Sequence, residues 1–120
     1  MRVVRPGELP REPAGGALFT GEVARTTLVG PDDSKNFNFS IVHFGAGVRN
    51  KMHNHTSDQL LIVTEGTGTV ATEREEREVT TGDIILIPAG ENHWHGAPGK
   101  TPMSHITVQA KGSTTTQVEP

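Results

Sequence analysis

Short runs in which apolar and β-branched residues alternate with polar ones fill this chain, and Gly, Pro, Asn or Asp breaks them roughly every ten residues. A 3.6-residue period is hard to find anywhere. The alternation predicts strands over Phe19 to Val29, Phe37 to Phe44, Gln59 to Val63, Gly68 to Glu73, Arg77 to Thr80, Ile84 to Pro88, His93 to His95 and Met103 to Gln109. Between them lie turn-rich segments: Gly30 to Asn36, Gly45 to Gly47, Glu65 and Gly66, the charged stretch Arg74 to Glu76, Thr81 to Asp83, Ala89 to Asn92, and Ala97 to Pro102. Strands this short and regularly spaced predict an all-β fold, a two-sheet jelly roll or barrel. The barrel domain is expected over 19–110. It is preceded by an extension, 1–18, rich in Pro and Gly, and followed by a polar tail, 111–120; both ends should lie on the surface or fray.

A chain of 120 residues has room for one domain. Its 11 Lys and Arg form no basic run and the net charge is -3, which argues against nucleic acid or an anionic membrane surface as partner and leaves a small molecule. There is no cysteine, so disulfides, thiolate ligands and a cysteine nucleophile are excluded, and a reducing cytoplasm is the compartment expected. No apolar run approaches the roughly 20 residues that span a bilayer. At 32% hydrophobic and 4% aromatic the chain is lean in core material, so association into a homodimer or higher homo-oligomer is expected to supply some of the burial.

The chemistry concentrates in two histidine pairs, His53 with His55 and His93 with His95. Side chains alternate faces along a strand, so residues two apart point the same way, and two such pairs on facing strands can converge on one point. Neutral imidazole is the commonest protein ligand for divalent transition metals.

Gly47, five residues, His53, one residue, His55, three residues, Gln59, six residues, Gly66 resembles the first signature motif of the cupin superfamily, with Gln59 where that family usually has Glu. Gly82, five residues, Pro88, Ala89, Gly90, two residues, His93 resembles the second motif, whose usual closing Asn is here Ala97. The resemblance covers Gly47 to Ala97. It implies a double-stranded β-helix (a jelly-roll barrel) in which His53, His55, His93 and Gln59 hold one divalent metal. The strings His53-Asn54-His55, Gln59 to Thr64, Asn92 to Ala97 and Met103-Ser104-His105 look most like the small bacterial cupins that act as manganese-dependent hydroxynitrile lyases. Those enzymes cleave cyanohydrins to a carbonyl compound and hydrogen cyanide. Manganese is therefore the metal expected first, with Fe, Zn, Ni and Co as the other occupants that such ligands accept.

An amide at Gln59 leaves the metal ion its full charge, which favours anionic ligands such as an alkoxide or cyanide. His95 shares the face of His93, and His105 lies on the next strand, so both are candidate proton acceptors, His105 first. Strand parity places Ser40, Val42, Leu61, Thr107 and Gln109 on the same inward face as a candidate substrate pocket. His43, of opposite parity, should face outward or a subunit interface, and Trp94 should point away from the metal. A metal-dependent dioxygenase and a small-molecule binding cupin without turnover are the competing functions.

Overall fold

The computed structural model describes residues 1–120, and its regular structure is nearly all antiparallel strand. One sheet runs β1 (Glu12–Pro13), β2 (Val23–Val29), β3 (Phe37–Phe44), β10 (Met103–Ala110), the first half of β6 (Gln59–Thr72) and β8 (Ile84–Ile87). The other runs β11 (Thr115–Gln117), β5 (His53–His55), β9 (His93–Ala97), the second half of β6, and β7 (Glu76–Thr80), with β4 (Val48–Arg49) alongside β9. No helix is long and apolar enough to cross a membrane.

The two sheets share β6, and the sharing explains a departure from the sequence reading. Glu65 and Gly66, expected as a turn between two strands, lie inside one 14-residue strand. Opposite them, β10 pairs Ser104 with Glu65 but His105 with Val63, so Thr64 is an extra residue, and this bulge bends the strand from one sheet into the other. Gly66 sits at φ 75°, where a Cβ would run into the Pro102 carbonyl. Bend and turn need the same residues, so the sequence alone does not separate them.

Val42, Phe44, Leu61, Val63, Val70, Val79, Ile87 and Met103 form the main part of the apolar core between the sheets. The strand expected from Phe19 starts only at Val23, although Phe19 makes an isolated bridge to Asn50. At the C-terminus, residues expected to fray form β11, in which Thr115 lies opposite His55 and Gln117 opposite His53. Glu119 extends the clasp by accepting two hydrogen bonds from Arg49, at 3.1 and 2.8 Å, and one from the Met52 amide.

Candidate metal centre and its cavity

The turn after β4 delivers His53 and His55 to β5, where both are buried and point into the barrel. His93 opens β9 directly opposite His53, and one ring nitrogen from each of the three lies within 4.8 Å of the others. Their orientation is held from behind. His53 Nδ1 donates to the Lys51 carbonyl at 2.5 Å and His93 Nδ1 to the Glu91 carbonyl at 2.9 Å. A carbonyl only accepts, so in both rings the proton sits on Nδ1 and Nε2 presents a lone pair. His55 Nδ1 stands 2.8 Å from Thr115 Oγ1, while its Nε2 is buried with no partner.

Gln59, buried at the start of β6, completes the group. Its Nε2 donates to Thr107 Oγ1 at 2.7 Å, which turns Oε1 to within 3.0 Å of His93 Nε2. Two acceptors at that distance repel each other unless a cation lies between them. With the unpartnered His55 Nε2, this contact is what a divalent ion would resolve, so His53, His55, His93 and Gln59 fit a metal. Burial first, and the neighbouring imidazoles after it, push His53 and His55 down to about 4; the Lys51 carbonyl opposes the shift at His53 and the Gln59 side chain opposes it at His55. His93 is lowered too, chiefly by burial. The rings are therefore in the neutral form that ligation needs.

Beside this group is a second pair. His105 Nε2 and His95 Nδ1 are 2.9 Å apart, both rings buried, and burial holds His95 well below the usual range and His105 at about 4. Asn50 Oδ1 accepts from the His95 amide at 2.8 Å. Its Nδ2 lies 3.2 and 3.4 Å from the two ring nitrogens of His95. Such even spacing places the amide over the ring rather than in line with either lone pair. The lone pair or proton of His95 Nε2 therefore has no in-plane partner.

A cavity of about 100 Å³ joins the two groups. Val42, Thr107, Gln109, His95 and His105 line it. Two expected pocket residues do not. Leu61 has the right parity but lies too deep, within the apolar core, and Ser40, half-buried opposite Thr107, falls outside the wall. The cavity also takes in Leu18, Phe19, Arg25, Asn50 and Thr115, which no motif marked. Only the parity of Arg25 could have been read, from the alternation along β2. The larger hollow, about 730 Å³, lies elsewhere, lined by His43, Ser104 and the Arg11–Glu65 ion pair. His43 occupies the outer face, half-buried, between Ser104 Oγ at 2.8 Å and Thr26 Oγ1 at 3.0 Å. Trp94 points away from the histidines, under the Arg49 guanidinium at 4.6 Å.

Comparison with known proteins agrees with this architecture. The cupin domain family matches residues 40–109. The chain is 33% identical over 112 residues to an (R)-mandelonitrile lyase of Granulicella tundricola, covering 92% of this chain and 86% of that one. It is 28% identical to a dimethylsulfoniopropionate lyase of Ruegeria pomeroyi, covering 74% of this chain and 67% of that one. A cupin-like protein of Thermotoga maritima superposes with a TM-score of 0.85 at 29% identity, covering 92% of this chain and 86% of the other. Three buried histidines on facing strands of a curled antiparallel barrel, with a family match over more than half its length, make this chain a member of the cupin family.

Proposed function

We propose that this cupin is a metal-dependent lyase that cleaves small cyanohydrins, manganese being the first metal to test. The observation that carries the reading is an uncharged ligand set facing a buried histidine pair across one small cavity. The likeness to a mandelonitrile lyase supports it. A divalent ion held by His53, His55, His93 and Gln59 would supply Lewis acidity, undiminished by any anionic ligand, toward an alkoxide or cyanide. The chain's own residues do the rest. His95 and His105, neutral because they are buried, take up the hydroxyl proton. As the carbon-carbon bond breaks, its electron pair leaves with the cyanide carbon, the former hydroxyl carbon becomes the carbonyl, and the same proton then neutralises the cyanide. Val42 and Phe19 supply part of the cavity's apolar wall.

The test is benzaldehyde release from mandelonitrile by manganese-loaded protein at mildly acidic pH. His53→Ala should lose both metal and release. His105→Ala should keep the metal and lose roughly 10²- to 10⁴-fold in rate, the usual contribution of a positioned acid-base group. No release above the His53→Ala control would overturn the lyase reading.

We also propose a homodimer formed through the outer face of the larger sheet. Two apolar rows cross that face in register: Ile84, Ile62 and Ile106, ending at Ile41, which the subunit itself already buries, and beside them Leu86, Leu60, Val108 and Phe39. Ile84 is 67% exposed and Leu86 65%. A contiguous apolar surface of this kind is what association covers.

A further inference from the structure

We propose that Arg25 makes the cavity selective for substrates that carry a carboxylate remote from the reacting group, a proposal that rests on the cavity being the ligand site described above. In the antiparallel pairing of β2 with β3, Arg25 is the register partner of Val42, and on the next strand Val42 is the partner of His105. Directly paired residues project from the same face. Val42 faces the cavity, so Arg25 does as well, and Arg25, Val42 and His105 form one row across the inner face.

With neighbouring strands about 4.8 Å apart, the Arg25 backbone stands roughly 10 Å from that of His105. An arginine side chain extends over most of such a gap, and only a valine lies between. Arg25 lines the cavity at its open end, where it remains exposed.

The charge balance at this end is one-sided. No side chain lining the cavity is acidic. Arg25 is the one lysine or arginine that lines it. It makes no ion pair, not even with Glu12, its register neighbour on β1. A second unpaired donor lies farther along the cavity wall, four residues along β10 from His105. Gln109 lines the same cavity, and its Nε2 is buried without a hydrogen-bond partner. A free guanidinium and an unpaired amide N–H are complementary to a carboxylate, which accepts several hydrogen bonds and takes the planar guanidinium fork in a bidentate pair. A neutral aromatic cyanohydrin would leave both donors unmatched.

The test uses levulinate and its neutral methyl ester, which share a keto group and differ in charge at the far end. Binding is read by calorimetry on wild type, Arg25→Gln and Arg25→Lys, each with and without manganese. Wild type should bind levulinate at least about tenfold more tightly than the ester, as one charge-assisted pair provides. Arg25→Gln should remove that preference without changing affinity for the ester, and Arg25→Lys should restore part of it. A preference for levulinate that survives Arg25→Gln, or that exists only with the metal bound, would assign the anion to the metal and overturn the proposal. Because the readout is binding, a failure here is distinct from a failure to release benzaldehyde.

Discussion

The two faces of the larger sheet invert the common arrangement of polar and apolar residues. Along β6, Gln59 points inward and is 4% exposed, whereas Leu60, the next residue, points outward beside Leu86, which is 65% exposed. On β10, His105, Thr107 and Gln109 face the cavity while Ile106 and Val108 face out. Only the deeper part of the inner face is apolar, around Phe44, Leu61, Val63 and Met103. The interior is thus divided between a packed end that holds the barrel together and a polar end built of histidines, amides and a threonine around the cavity. Apolar material that would ordinarily fill a core lies on the outer surface instead. The difference teaches that alternation identifies two faces, while the histidines identify which of them is inside.

The sharpest way to break the comparison is to truncate adjacent leucines. Leu61 is 1% exposed in the core. Leu61→Ala should cost about 2–5 kcal/mol, the usual range for a buried leucine in a site that collapses poorly. Leu60→Ala, on the half-buried outer face, should cost clearly less in dilute protein. Urea unfolding of both variants at one low concentration measures the difference. Equal costs would mean that the outer face is as fully packed as the inner one.

Acid sharpens it next, because the polar end of the interior carries a buried base. Burial pushes His105 down to about 4, the charge of His43 adding to the effect, against a usual value near 6.5. Below 6.5 the unfolded chain takes up a proton that the folded chain refuses, so the contribution is complete above 6.5 and is lost progressively as the pH falls toward 4. His105→Gln removes that titration. In metal-free protein, the urea midpoint of wild type should fall more between pH 7.5 and pH 5 than that of the variant. Parallel curves would show that the His105 ring is protonated as easily folded as unfolded.

These tests follow from features that the sequence displays unequally. His53, His55 and His93 can be read because strand parity and motif spacing are local, and the pairing of β5 with β9 then brings them together. The depth of a side chain is not local. Leu61 shares the parity of the cavity residues yet lies in the core, because depth depends on how the sheet curls. Along β2, burial of Thr26 and Leu28 marks the face opposite to Arg25, so a search for core residues leads away from the cavity. The C-terminal strand is hidden for another reason. Thr115 to Gln117 have little apolar character, and they form a strand through backbone pairing with β5 and the Arg49–Glu119 clasp.

The outer face gives the smallest expected effect on the folded chain and the clearest one on association. Ile84 and Leu86 stand at the sheet edge with more than half of their surface open to water, so Ile84→Glu with Leu86→Glu removes little buried area within the subunit. In dilute solution each change should stay within about 0.5 kcal/mol, as surface substitutions usually do. Between two copies the result is different. Glutamates from both subunits would be placed in the apolar rows, where desolvation of the charge is unfavourable unless it is paired. Sedimentation across a wide concentration range should show wild type as a dimer and the double variant as a monomer, with manganese content unchanged. A wild type that stays monomeric at every concentration would remove the dimer. A double variant that remains dimeric would move the interface to another face.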